Sequence, residues 1–297
     1  MKSNTIKLSF LLFFALCSTV FAQKDFRGVA YYESKTTFDM NGWDRGGQMS
    51  EAQKKQIADR MKSMFEKTYI LTFNRTESLY KEEEKLEAPG AGGGMRFGMA
   101  GSLSGGPQYK NIKDKQLVQE QEFFGKQFLV KDSLQPLAWE MTNETKKIGQ
   151  YTCFKATAVK QVDEMDFANM RRRDRNNNDK KENTTAKDST KKEGSDNPLD
   201  EIEVPKEIIV TAWYTPQIPV NQGPDDYWGL PGLILEVSAN RTTILCSKIV
   251  LNPEEKQDIK RPSKGKEVSK QEYNDIMKKK MEEMREMYGG RGGRPRF

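Results

Sequence analysis

Asp225 and Asp226 stand directly before Tyr227 and Trp228, in a segment bounded by Gly223-Pro224 and Gly229-Leu230-Pro231-Gly232. Two carboxylates beside two large aromatic rings are the most chemically suggestive cluster in the chain. The acids could hold a hard cation or exchange protons, and the rings offer flat apolar area for recognition. Adjacent carboxylates usually diverge, however, and no spaced D-x-D-x-D-G loop accompanies them. Asp39, Glu140 and Glu144 are equally available as distant partners, so no particular carboxylate pair stands out. The chain contains no histidine, which excludes Ser-His-Asp and Cys-His nucleophiles and every imidazole metal site. It has no G-x-S-x-G elbow, P-loop or G-x-G-x-x-G either. No catalytic residue, cofactor or metal site is therefore expected. The four residues Asp225, Asp226, Tyr227 and Trp228 are expected to bind a ligand or partner.

Neighbours in an extended segment point to opposite sides. Tyr227 and Trp228 should accordingly divide their roles, one ring anchoring the sheet and one facing outward. The turn after them, Gly229, Pro231 and Gly232, reads as a structural corner. Pro231 pre-sets the first φ of a type II turn, and Gly232 would supply the positive φ of the second.

Other reactive side chains are less directive. Cys153 and Cys246 form an even pair once Cys17 is set aside with the leader. A bond between them would close a loop of about 90 residues, worth roughly 4 kcal/mol in the chain-entropy model; two buried thiols are the alternative. Met61/Met64, Met95/Met99 and Met277/Met281/Met284/Met287 are clustered, and exported thioethers can bind Cu(I). Methionine at helical spacing more often fills a core or lines an adaptable binding face. The RGG near Arg291 resembles an RNA-binding tail, a use at odds with export. Asp132-Ser133-Leu134 and Asp188-Ser189-Thr190 resemble acceptor sites for bacterial O-glycosylation.

These residues need a scaffold, and the chain's organisation suggests one. Lys2 and Lys7 precede an apolar run, Leu8 to Leu16, and Val20-Phe21-Ala22 ends in a small residue. This pattern predicts a signal peptide over 1–22 and an exported protein, in the periplasm, at the outer membrane or secreted. No apolar stretch approaches the ~20 residues of a membrane span, so the mature chain is expected to have none. Pro89 to Pro107 holds 8 of the 23 glycines and predicts a flexible loop. Arg171 to Asn197 has 15 charged residues in 27 and one apolar side chain, Ala186, so it cannot build a core. Residues 289–297 form a basic tail. What remains, within 23–288, predicts a single domain.

That domain reads as mainly β. Strands are predicted over 28–38, 68–73, 116–124, 126–131, 137–141, 151–159, 208–215, 233–237 and 242–251. Gly125, a polar turn near Asn143, and Ser238–Arg241 mark hairpins. Two helices interrupt the series, each opened by a capping box. Ser50/Gln53 leads a stripe of Ile57, Met61, Met64 and Phe65; Ser269/Glu272 leads Tyr273, Met277, Met281, Met284 and Tyr288. The expected α+β architecture is one curved antiparallel sheet, open like a half-barrel or bowl, with two amphipathic helices packed on it.

The hexamer Gly229-Leu230-Pro231-Gly232-Leu233-Ile234 resembles the signature of the GLPGLI proteins, an exported family of the Bacteroidetes. The resemblance runs through Trp139-Glu140-Met141 and the stretch from Glu144 to Ala156, which contains Gly149-Gln150-Tyr151-Thr152-Cys153. It continues in Ala212-Trp213-Tyr214-Thr215, Ile218-Pro219 and Gly223-Pro224, and spans roughly residues 116–251. Tyr227-Trp228 stands where one aromatic is expected, and the insert at 171–197 is longer than the pattern requires. The resemblance implies a secreted or periplasmic protein without an established activity, encoded near TonB-dependent outer-membrane receptors. Such a receptor, or another envelope protein, is thus the implied partner; nucleic acid is not. The expected function is a non-enzymatic envelope protein binding a peptide, a lipid-like molecule or a receptor through an open sheet. The alternatives are a carboxylate hydrolase using Asp225 and Asp226, or a periplasmic copper-handling protein.

Overall fold

A computed structural model describes residues 26–37, 50, 52, 55, 66–83, 105–162, 171–172, 202–203, 205–255 and 257–289. The first half of the chain supplies β1 (Arg27–Thr36), β2 (Glu66–Asn74), β3 (Glu77–Glu82), β4 (Gln108–Asn111), β5 (Gln116–Phe123) and β6 (Lys126–Ser133). The second supplies β7 (Glu140–Ile148), β8 (Tyr151–Gln161), β11 (Glu207–Thr215), β12 (Leu233–Ala239), β13 (Thr242–Leu251) and β14 (Lys266–Ser269). Two-residue strands β9 (Arg171–Arg172) and β10 (Ile202–Glu203) form a separate antiparallel pair between β8 and β11. The helix α1 (Lys270–Gly289) ends the described chain.

Twelve strands make one sheet in the order β14-β6-β5-β4-β3-β2-β1-β13-β12-β11-β8-β7. Five neighbouring pairs, β2-β3, β4-β5, β5-β6, β7-β8 and β12-β13, are joined by tight turns. Phe124 and Gly125 both take positive φ between β5 and β6, and Asn240 does so between β12 and β13. Such turns follow the right-handed twist of the strands they join. The two halves of the chain are joined in the sheet by β1 against β13, paired along their whole length with a bulge between Tyr31 and Tyr32.

The sheet is mixed, not purely antiparallel as expected, because β14 runs parallel to β6. The cause is the long connection after β13. It crosses one face of the sheet, where Gln257 accepts a hydrogen bond from Thr72 and Ile259 packs against the cluster of Tyr109, Val118 and Leu129. Glu120 then accepts the backbone N–H groups of Ser263 and Lys264, and the chain enters β14 at the far edge.

The expectation of two helices on the sheet also needs correction, since among the described residues α1 is the one helix that packs there. The predicted helix at 50–65 falls almost wholly outside the described residues. α1 opens with the expected capping box: the Ser269 hydroxyl accepts the Glu272 N–H, and the Glu272 carboxylate accepts the Ser269 N–H at 2.7 Å. Tyr273 and Met277 bury against Phe123, Phe128, Val130 and Val268, a small core of their own at the β6 edge. Among the described residues no helix is long and apolar enough to cross a membrane.

One further expectation changes. The chain does not turn near Asn143; β7 runs through it with a bulge between Met141 and Thr145, and reverses at Gly149, whose φ is +57°. Cys153 and Cys246 are free thiols, both buried. They lie on β8 and β13, separated in the sheet by β11 and β12. Of the two predicted flexible insertions, the described parts are paired: Gly106 and Pro107 bond to Glu120, and Arg171–Arg172 to β10. The rest of both predicted segments, the predicted signal peptide over 1–22 and the residues beyond 289 lie outside the described residues.

The main core lies on the face opposite the β13–β14 connection. It joins Ala30, Tyr32, Leu71 and Phe73 to Val210, Ala212, Leu235 and Val237. Ile218, Val220, Tyr227 and Leu230 in the same cluster belong to the connection between β11 and β12. That connection, residues 216–232, is thus folded into the sheet's inner face.

Candidate functional site

The 216–232 loop holds every residue singled out for binding, and it is ordered by its own backbone first. Tyr227 N–H donates to the Pro224 carbonyl, Gly229 N–H to Asn221, and Leu233 N–H to Ile218. Asp225 takes φ +49°, a left-handed conformation that a short polar residue tolerates. Gly229 takes φ +95°, and a Cβ there would meet nothing closer than the Trp139 ring at 3.9 Å, so here glycine is needed for its conformation.

Gly232 is needed for another reason. It does not have the positive φ that a type II turn predicts. A Cβ there would lie 2.1 Å from the Thr215 carbonyl oxygen, so the close approach of two backbones demands glycine. Its N–H donates to Leu230 at 2.8 Å, two residues back, closing a three-residue turn around Pro231.

The sheet then grips the loop from strands far away in sequence. Lys110 on β4 is fully buried and points under the loop, where its Nζ donates to three carbonyls: Gly223 at 2.6 Å, Asp225 at 2.5 Å and Tyr227 at 3.2 Å. Three N–H donors meet three acceptors from alternate residues of one segment. Ser78, which faces Lys110 across the β3–β4 pair, donates to Gln222 Oε1 at 2.9 Å. Tyr32 donates to the Ile234 carbonyl at 2.7 Å.

A second lysine holds the other side. Lys160 on β8 lies 2.6 Å from Asp226 Oδ2 and 4.6 Å from the centre of the Tyr227 ring. Burial opposes the charges of this pair, but their mutual attraction holds Lys160 well above the usual lysine range and Asp226 below the usual carboxylate range. Lys270, at the start of α1, also lowers Asp226. Lys270 follows β14 directly and Lys160 is on β8, ten strand positions away, which a flat sheet would separate by about 48 Å. Lys110 on β4 and Lys160 on β8 also reach the one loop from strands seven positions apart, so the sheet curls round it, as large twisted sheets commonly do.

Burial pushes Lys110 down to about 8, with Asp225 and Asp226 pulling the other way. Burial likewise raises Tyr69 and Tyr80, whose rings stack 4.7 Å apart, and Asp225 adds to both shifts. Asp225 is therefore electrostatically joined to the tyrosine stack and to Lys110, and Asp226 to Lys160.

The two aromatic residues differ. Tyr227 is buried in the main core, whereas Trp228 is half-buried. The indole N–H of Trp228 donates to the Gln135 carbonyl at 3.1 Å, and Trp139 donates to the Trp228 carbonyl at 2.8 Å. The segment before β7 thus fixes the outer side of the loop.

Residues 139–236 match the family model described as Protein of unknown function (Porph_ging). The Porph_ging match takes in β7, β8, β11, the whole loop and its partners Trp139 and Lys160. It leaves out Lys110, Ser78 and Tyr32, which grip the same loop from the first half of the chain. No curated protein sequence matches the chain. Two solved structures of PNGF-II, in the C2 and P21 space groups, resemble it with TM-scores of 0.45 and 0.44. Their identities are 13% and 14%, over 86% of this chain and 33% of theirs. The chain spans about a third of the length of PNGF-II.

Sequence reasoning missed the residues that hold the site. Lys110, Ser78 and Lys160 are unremarkable in sequence, with no spacing that relates them to 223–228. Of the other acids, Asp39 lies outside the described residues, and Glu144 bonds Lys155 at 2.7 Å, on another part of the sheet. Among the described residues no group of three metal-ligating acids or cysteines forms.

Proposed function

We propose that this is a GLPGLI-type, exported and non-enzymatic envelope protein that binds a peptide, lipid-like or outer-membrane receptor partner through the 223–228 loop. The observation that carries this reading is the contrast between Tyr227 and Trp228. Tyr227 is buried among Ile218, Val220 and Leu230, while Trp228 keeps part of its ring in solvent on a backbone pinned from both sides. A large aromatic on a rigid frame is the residue type that anchors partners at low entropic cost.

The same geometry weighs against the carboxylate hydrolase. A general acid must hold its proton near neutral pH, and Lys160 keeps Asp226 ionised. The inner face of the sheet is filled by the loop, so recognition moves from an open trough to the loop's outer side.

Affinity purification from envelope extracts, comparing wild type with Trp228→Ala and Tyr227→Ala, tests the reading. Trp228→Ala should keep most of its stability and lose the co-purifying partner. Tyr227→Ala should cost about 3–5 kcal/mol, as truncation of a buried aromatic does. Undiminished partner retention in folded Trp228→Ala would exclude the loop as the binding element.

A further inference from the structure

We infer that Lys110 is a positioning residue for the 223–228 loop: a side chain that touches no partner but sets the conformation in which Asp225, Asp226 and Trp228 are presented. The proposal rests on reading that loop as the recognition element. It goes further by placing control of the loop in β4, outside the segment matched by the family model.

The geometry is specific to an ammonium group. Gly223, Asp225 and Tyr227 are alternate residues, and their carbonyls converge on one Nζ within 2.6, 2.5 and 3.2 Å. A trigonal set of three N–H donors suits three converging acceptors, whereas the planar fork of arginine directs its donors outward. With three carbonyls drawn inward, the intervening side chains are left to their own partners. Asp226 turns to Lys160 on β8, and Asp225 adopts φ +49°. The backbone that leaves Tyr227 then presents Trp228 to Gln135 and Trp139.

Lys110 is itself held in place. Its cross-strand neighbour Ser78 binds Gln222, so β3 and β4 grip consecutive loop residues 222 and 223. A fully buried ammonium is a costly way to fill space, and an apolar side chain would serve a core better. The three carbonyls it holds account for an ammonium at this position.

Native-state hydrogen exchange on the full chain tests this. The readouts are the amides of Tyr227 and Gly229, which bond within the loop, and of Ile234 in β12, which bonds to the loop's Gln222, against those of Val29 and Ala30 in β1. Lys110→Met keeps the length and apolar stem and removes the three donors. It should lower protection at the loop amides by at least about tenfold relative to β1, and Lys110→Arg should not restore it. Should Lys110→Met not fold, Ser78→Ala removes the adjacent grip and should lower protection at Ile234, whose acceptor is the Gln222 carbonyl. Loop protection that stays level with β1 in Lys110→Met, or restoration by arginine, would overturn the proposal. In Ser78→Ala, unchanged protection at Ile234 would do the same.

Partner retention is scored separately. A loosened loop with the envelope partner still bound supports the role of Lys110 and overturns the recognition reading. Loss of both supports the two together.

Discussion

Lys160 grips Asp226 by both carboxylate oxygens, with Nζ 2.7 Å from Oδ1 and 2.6 Å from Oδ2, and the same ammonium sits over the Tyr227 ring. The two side chains retain 24% and 28% of their exposure, so solvent screens the pair in part. It is nevertheless the contact that ties the loop to β8. With Lys110 on the opposite side, it suspends residues 223–227 between strands on either side of β1 and β13.

The first prediction concerns acid. Lys160 holds Asp226 ionised below the usual carboxylate range. A carboxyl depressed on folding stabilises the protein above its unfolded value and loses that contribution as pH falls through the folded value. Asp226→Asn should therefore cost about 2 kcal/mol at neutral pH, the scale of a hydrogen bond to a charged group. The gap from wild type should close as pH drops below about 4. Urea titrations of both proteins between pH 2 and 7 measure this; a gap independent of pH would show that the pair does not stabilise the fold.

The second prediction concerns alkali, and its sign is opposite to that of most lysines. Burial lowers Lys110 to about 8 in the folded protein, against 10.5 for a free lysine. Between those values the unfolded chain binds the extra proton, so stability contributed by this group rises with pH. Wild type should gain on Lys110→Met across this interval in denaturation midpoints corrected to the same m value. A steady loss relative to the variant would mean that the three carbonyls hold Lys110 above its ordinary range.

Two glycines should behave differently for different reasons. Gly232→Ala places a methyl 2.1 Å from the Thr215 oxygen and forces backbone to move. A cost of about 3 kcal/mol or more is expected, at the upper end of overpacking. Gly229→Ala meets nothing closer than 3.9 Å and pays for its φ of +95° alone, about 1–2 kcal/mol. Thermal melts of the two variants establish the order, and equal costs would contradict the close approach at Gly232.

The helix cap gives a local control. Ser269→Ala removes the hydroxyl that accepts the Glu272 N–H and should cost about 1 kcal/mol. Because α1 packs on a small cluster at the β6 edge, the loss should appear in the exchange of Tyr273 and Met277 amides and leave the loop amides unaffected. Equal loosening of the loop would show that α1 and the loop unfold as one unit.

Local signals in the sequence already determine much of this protein. Alternating and β-branched runs located β1, β2, β5, β6, β8, β11, β12 and β13, because a half-buried strand must alternate. Gly125 and the turn at Asn240 set hairpins through residues that tolerate positive φ, and Ser269 with Glu272 set the start of α1. These effects act over a few residues, so a few residues suffice to read them. The short strands β3, β4 and β14 carry too few positions for a period to show.

The candidate site was legible only as a list of residues, 225 to 228, and the way it is held was not. Lys110 lies 113 residues from Gly223, Ser78 lies 144 from Gln222, and Lys160 lies 66 from Asp226. No local pattern links such pairs. They meet because the chain between β11 and β12 crosses the inner face of a sheet whose curl depends on all twelve strands. Gly232 shows the same division. Its sequence marks a turn, but only the tertiary approach of Thr215 decides why no side chain fits there, since an atom 17 positions away occupies the space.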